Sequence, residues 1–170
     1  MCDFMTISID PVKVEEKFVF IQLLNLYYYD FTEFTDNDIN SYGYYDHLYI
    51  DHLWTEDSRH GFFIRVDGKL AGFTIVKRNS GGDFSFVDDK TAHHINQFFI
   101  MKKYRRKGVG QFAAKAVFDK FRGNWEVCQM GNNTPARKFW KGIVAEYTQN
   151  KYSEHSNEDG GWVGFTFNNK

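Results

Sequence analysis

Strands and helices that alternate through the second half of the chain, a tight hairpin before them and one long apolar helix near the start predict an α/β (α+β) fold on a mixed sheet. The 170 residues are 42% hydrophobic and 25% charged, which fits a single domain, 1–170, with a sizeable core. No linker or internal repeat interrupts it.

Residues 5–9 read as an edge strand. Residues 14–34 read as a long helix, with Asp10-Pro11 as cap and first-turn proline and Glu15 and Glu16 at its positive end. Its middle, 18–29, is apolar nearly all round, with Gln22 and Asn25 on a narrow polar side, so it is expected to be covered on most of its surface. Residues 36–51 hold neither period and read as loop with room for one short helix. Over 62–76 two apolar strands flank Asp67-Gly68, the dipeptide of a type I′ turn. A glycine-rich turn at 79–83 leads to a strand over 92–101, expected to be buried on both faces from Ile95 onward. Val109, Phe112, Ala113, Ala116, Val117 and Phe121 share one face of a helix, opposite Gln111, Lys115, Asp119 and Arg122. A strand follows over 125–130. Thr134-Pro135 caps and starts another helix, striped by Ala136, Phe139, Trp140, Ile143 and Tyr147, and 162–167 is a final strand.

Composition excludes several function classes. Twenty-one Lys and Arg balance 22 Asp and Glu for a net charge of −1, so nothing global attracts nucleic acid or an anionic membrane. No uncharged run approaches the roughly 18–20 residues of a membrane-spanning helix. The first residues carry no secretory pattern, and a cytoplasmic location is expected. Cys2 and Cys128 are too few for a disulfide framework, and Cys128, inside an apolar alternation, reads as an inert buried thiol.

The informative stretch runs from Phe98 to Gly110, a buried strand that passes through the basic loop Lys102-Lys103-Tyr104-Arg105-Arg106-Lys107 into a helix. Free backbone N–H groups and the positive helix end converge there. Gly108 and Gly110 let backbone approach ligand oxygens, and Arg105, Arg106 and Lys107 add charge. Such a cradle suits a diphosphate. A solvated basic turn and a nucleic-acid contact are the other readings, the second weakened by the lack of an extended basic face.

Arg105-x-x-Gly108-x-Gly110 after an apolar strand resembles the acetyl-CoA signature of the GNAT N-acetyltransferase superfamily. Asn133-Thr134-Pro135-Ala136 and Phe139-Trp140, about 25 residues later, match a second motif of that family. The run from Phe139 to Tyr147 also resembles a bacterial subgroup of predicted acetyltransferases. The resemblance implies a single GNAT-like domain: a mostly antiparallel mixed sheet with helices on both faces and a splayed acetyl-CoA cleft. It implies acetyl-CoA as co-substrate; no metal is expected, for want of a ligand set at metal spacing. Backbone groups of Phe98, Phe99 and Ile100 would pair with its pantetheine arm. The loop amides of Arg106, Lys107, Gly108, Val109, Gly110 and Gln111 would hold the pyrophosphate, and Asn133, Ala136, Phe139 and Trp140 would line the second strand's side. The partner would be a small-molecule or peptide amine, acted on by a monomer or homodimer.

The same resemblance exposes two departures. Gln97 stands where many members carry a glutamate base, and an amide takes no proton at neutral pH, so Gln97 would orient water or substrate only. Trp140 stands where the family has a tyrosine acid. The Ile100 N–H would stabilise the oxyanion. Glu56, with Asp57 after Leu53-Trp54, is a candidate base. His93 is placed on the face of Gln97 but about 13 Å away, and Tyr147 lies two turns beyond Trp140. His47, His52 and the pair His93-His94 have no further ligand at metal spacing. Tyr42, Tyr44 and Tyr45, near Asp46 and Asp51, are candidate walls of an acceptor cleft. A non-catalytic acyl-CoA-binding module that has lost the acid/base pair is the alternative function.

Overall fold

The computed structural model describes residues 5–46, 50–78 and 85–170. Its sheet is ordered β1-β2-β3-β4-β5-β7-β6. The strands are β1 (Ile7–Pro11), β2 (Arg59–Val66), β3 (Lys69–Arg78), β4 (His93–Ile100), β5 (Asn124–Met130), β6 (Ser153–Ser156) and β7 (Trp162–Asn168). The helices are α1 (Lys17–Phe31), α2 (His52–Thr55), α3 (Val109–Lys120) and α4 (Thr134–Thr148). Among the described strands only β4 and β5 run parallel; the other neighbours are antiparallel. One core lies between α1 and the sheet, where Phe20, Leu23 and Leu24 meet Phe63, Phe73 and Phe99. Another lies under α3 and α4, around Val117, Phe118, Trp125, Trp140 and Phe165. The expected hairpin is present, with φ of 50° at Asp67 and 74° at Gly68.

Several expectations need correction. Pro11 closes β1, where an edge strand tolerates its missing N–H, and does not open the helix. A 3-10 turn at Val14–Glu16 precedes α1, with the Lys13 N–H donating to Glu16 Oε2 at 3.1 Å. The apolar middle of α1 is covered on one side only: Phe20 is fully buried, whereas Phe18 is 81% and Tyr29 68% exposed. A helix laid on one layer of sheet meets it along a single stripe, and apolarity all round does not bring a second layer. Nor is β4 buried on both faces, because Asn96 is exposed and Gln97 and Phe98 are half-buried. On α3 the buried face is Val109, Ala113, Ala114, Val117 and Phe118, while Phe112 is 46% exposed. Asn133 rather than Thr134 caps α4: its Oδ1 accepts the Ala136 N–H at 3.0 Å. The short edge strand β6 carries a polar sequence, Ser-Glu-His-Ser, without the apolar alternation that marks strands. The turn expected over 79–83, together with Cys2 and His47, lies outside the described residues.

Two stability measurements check this packing. Phe20→Ala is expected to cost about 3–5 kcal/mol by denaturant unfolding, whereas Phe18→Ala, two residues away, stays within about 0.5 kcal/mol of the parent. Asn133→Ala, which removes the α4 cap, is expected to cost about 1 kcal/mol, and Asn133→Ser to restore most of it.

Candidate active site

β4 and β5 are held together by two rungs, His93 opposite Trp125 and His94 opposite Glu126. Beyond them the strands part, and from Ile95 to Ile100 β4 is paired on one edge only, with β3. A register shift begins at the same place. Ile75 faces Gln97 and Val76 faces Ile95, which leaves Asn96 as an extra residue in β4. Such a bulge bends the strand and resets which side chains share a face. His93 packs against Phe121 and Trp125, and Phe98 against Phe139 and Trp140, on the side of α3 and α4. Gln97 and Phe99 turn to the other side, where Gln97 Nε2 donates to the Tyr28 hydroxyl at 3.3 Å and Phe99 packs on Tyr27 and Phe73. His94 therefore shares the face of Gln97. The placement of His93 there is corrected, because counting by twos fails across the bulge.

The parted edge carries unpaired backbone. The Gln97 carbonyl accepts the Thr74 hydroxyl at 2.9 Å, the Phe99 carbonyl lies against Gly72, and the Met101 N–H donates to Ala71, all in β3. Since backbone groups point alternately to the two edges of a strand, Phe98 and Ile100 present theirs toward the cleft. Arg105 Nε takes the Ile100 carbonyl at 2.7 Å, leaving the Ile100 N–H. Of the three residues expected to meet a pantetheine arm, the geometry brings Phe98 and Ile100 to the open edge and turns Phe99 away.

At the cleft's end the chain enters α3 through left-handed residues at Arg106 (φ 58°) and Gly108 (φ 79°). The first backbone bond of α3 runs from the Phe112 N–H to the Gly108 carbonyl, so the Val109, Gly110 and Gln111 amides are the uncommitted donors of the helix start. The geometry is that of a nest at a helix N-terminus, which suits an anion. A Cβ at Gly108 would meet nothing within 4 Å, so the glycine is there for its backbone angle and leaves the approach open. At Gly110 the reason is contact: a Cβ would press on the Phe139 ring at 3.1 Å. Arg105 has a different place from its neighbours. Its guanidinium bonds Asp30 at 2.5 Å and covers the Phe99 ring, while Arg106 and Lys107 are exposed. Asp30 thus ties α1 to the cradle. Across the cleft, Asn133 is 7% exposed with its oxygen used as the cap, Ala136 and Phe139 are half-buried, and Trp140 is buried.

The protonatable groups are distributed unevenly. Glu56 is held by Arg59 and by His52 Nδ1, both at 2.7 Å. The Arg59 hydrogen bond is the main cause that lowers its pKa, which makes it a poor base, and Asp57 follows it in the same turn before β2. The Tyr147 hydroxyl donates to Asp119 at 2.8 Å and accepts from Asn169, so it is engaged away from the cleft. Sequence reasoning missed a buried pair at the vertex: His94 Nδ1 lies 3.1 Å from Glu126 Oε2, with Glu126 fully buried. A histidine and a glutamate 32 positions apart carry no joint signal until the sheet makes them neighbours. Burial pushes the Cys128 thiol up, in keeping with an inert role.

On the α1 side, residues 32–46 span the mouth of the cleft. Asn132 Nδ2 reaches the Phe34 carbonyl at 3.3 Å from the β5 side, and Asn25 Oδ1 accepts the Tyr45 N–H at 3.0 Å from α1. Asn40 organises the tip: its oxygen accepts the Tyr42 and Tyr44 N–H groups, and the two rings stack 6.2 Å apart. An open groove of about 450 Å³ between Val87, Trp125, Tyr152 and Phe167 lies at the opposite end of β5. No group of three or more metal-ligating side chains occurs among the described residues, and no helix among them is long and apolar enough to cross a membrane.

No curated protein matches the chain by sequence. Solved structures do match its fold. An acetyltransferase from Thermus thermophilus superposes with a TM-score of 0.68 at 12% identity, over 96% of this chain and 97% of that one. A GNAT-family acetyltransferase from Staphylococcus aureus gives 0.63 at 15%, over 97% and 100%. An aminoglycoside acetyltransferase in complex with coenzyme A gives 0.68 at 11%, over 96% and 95%. A sequence model of the acetyltransferase (GNAT) family matches residues 21–143, a span that contains most of α1, the bulged strand, the cradle and much of α4. With the parted β4 and β5 and the amide nest between them, that match places the chain in the acetyltransferase (GNAT) family.

Proposed function

We propose that the protein transfers an acetyl group directly from acetyl-CoA to a primary amine of a small molecule or peptide. The observation that carries this reading is the continuity of the unpaired β4 edge with the amide nest at α3. A pantetheine arm has amides that an open strand edge satisfies as it would a peptide's, and a diphosphate is what a helix N-terminus flanked by Arg106 and Lys107 holds best. The two needs meet on one path, in the order that coenzyme A presents them. The bound coenzyme A of a structural neighbour supports the same occupant.

Amine selectivity follows from charge. Between Lys17 and Arg59 the sequence has eight Asp and Glu and no Lys or Arg, and this stretch includes the loop across the mouth, where Glu33, Asp36, Asp38 and Asp46 are exposed. The cradle on the other side carries the basic run. An anionic donor and a cationic acceptor are thus drawn to opposite sides of the cleft. At the thioester, the cleft-facing N–H groups of Phe98 and Ile100 are available to the developing oxyanion, that of Phe98 lying next to Gln97, and holding amine and carbonyl together supplies much of the acceleration. Gln97, its Nε2 fixed by Tyr28, orients a water or the amine.

Acetyl-CoA at one hundred times its Kd is expected to stabilise the protein by about 2.7 kcal/mol, read as a rise in melting temperature. Gly108→Glu, which puts a carboxylate and a strained backbone into the nest, is expected to abolish that rise while the unliganded protein stays folded; unchanged affinity would overturn the assignment. Thiol release across a panel of amines tests the transfer itself. Polycationic amines are expected to turn over best, with a KM that climbs steeply with salt. Saturable binding without thiol release from any amine would instead identify a non-catalytic acyl-CoA-binding module.

A further inference from the structure

Acetyl transfer from a thioester to an amine must move one proton from nitrogen to sulfur, and neither Gln97 nor Trp140 can hold it. The pair His94–Glu126 occupies the rung at which β4 and β5 part. His94 is 8% and Glu126 0% exposed. Converging on the Glu126 carboxylate are the Ser85 hydroxyl at 2.8 Å, the Phe86 N–H at 2.5 Å, His94 Nδ1 at 3.1 Å and the Cys128 thiol. A carboxylate only accepts hydrogen bonds, so the tautomer that suits this contact has its proton on Nδ1 and leaves Nε2 as the basic lone pair. That Nε2 is buried and has no partner among the described residues. On the same face of β4, across the bulge, Gln97 Oε1 is likewise buried without a donor. Two acceptor atoms without donors, on one face of one strand, are what a single water satisfies by donating a hydrogen to each.

We propose that His94, oriented by Glu126, is the proton acceptor of the acetyl transfer and is reached through one water held between its Nε2 and Gln97 Oε1; the proposal rests on the transferase reading above. The amine nitrogen attacks the thioester carbonyl, and the C–N bond forms. Its proton passes to the water as the water gives one to Nε2. The C–S bond then breaks, sulfur leaves as thiolate, and the imidazolium returns its proton through the same water to give the free thiol. Amide and thiol are formed, and the dyad is restored. Glu126 stabilises the transient imidazolium, as the carboxylate does in a Ser-His-Asp triad. Desolvation lowers the His94 pKa and Glu126 opposes it; Lys77 from β3 and His93 beside it add smaller downward effects, and Cys128 from β5 shares the carboxylate. The imidazole is therefore neutral, and ready to accept, at neutral pH.

The experiment compares wild type, His94→Gln and Glu126→Gln with acetyl-CoA and the best amine of the panel. His94→Gln is expected to bind acetyl-CoA within about twofold of wild type while kcat falls by roughly 100-fold or more, and to lose the acidic limb of the wild-type pH–rate profile. Glu126→Gln should shift that limb without removing it. A His94→Gln enzyme with kcat within about threefold and the limb intact overturns the proposal and leaves the transferase reading standing. Wild type that binds acetyl-CoA but releases no thiol with any amine overturns both. If His94→Gln does not fold, the long-range ¹H–¹⁵N spectrum of the wild-type imidazole decides: a proton on Nδ1 and an Nε2 resonance that titrates together with kcat support the proposal, and a proton on Nε2 overturns it.

Discussion

Among the described residues two rungs are all that join the halves of this sheet, and the consequences of stopping there organise the molecule. A parallel pair of strands normally continues for its shared length, because buried backbone groups need partners. Here β5 turns to β7, with which it pairs over seven residues, and β4 leans on β3. The backbone of Phe98 and the N–H of Ile100 are left facing a gap. That is tolerable for a surface cleft that water fills, and favourable when an extended ligand with its own amides enters. The bulge at Asn96 gives the parting its geometry, since the extra residue bends β4 away from β5 at the point where pairing ends.

A gap in a sheet would close if nothing braced its walls. Phe98, Phe139 and Trp140 form a contiguous aromatic wedge on the side of α3 and α4, and Gly110 lets the start of α3 sit against Phe139. On the opposite side, Asp30 draws Arg105 and Lys102 toward the end of α1, so that part of the basic run is neutralised by the protein's own carboxylate. Arg106 and Lys107 stay exposed and, in the proposed function, are what the loop keeps for the ligand. The sequence motif therefore mixes two roles. Its arginine shapes the loop through the Ile100 carbonyl and Asp30, while its glycines and the amides around them form the proposed site.

This division explains what could be read in advance. The cradle was legible because a basic run, two glycines and a helix start are contiguous, and the hairpin because Asp67-Gly68 dictates its own turn. The periodicity of α4 was strong enough to mark its stripe from Ala136 to Tyr147. What stayed hidden depended on contacts between distant residues or on one-residue slips. The bulge at Asn96 has no composition of its own, and it moved His94, rather than His93, onto the working face. The exposed side of α1 escaped notice because Phe18, Leu26 and Tyr29 look like core in any window; only the single layer beneath them shows which stripe is used. Asp30 and Glu126 reveal their roles only through Arg105 and His94, 75 and 32 positions away.

The buried carboxylate at the vertex is the most costly feature of the site. An ion removed from water costs several kcal/mol unless its partners replace the lost hydration. Glu126 has such partners in Ser85, Phe86, His94 and Cys128, and that is already a complete shell for a structural carboxylate. Anchoring alone, however, calls only for donors, and an imidazole is a wasteful one: it brings a second polar atom that must itself be buried, and here that atom has no partner among the described residues. A donor-only group, such as a further backbone N–H or an indole N–H, would bond the carboxylate without leaving a lone pair behind. The cost of the unsatisfied Nε2, set beside the unsatisfied Gln97 Oε1 where the cleft opens, is hard to account for by packing and simple to account for by a proton that must wait there during each transfer.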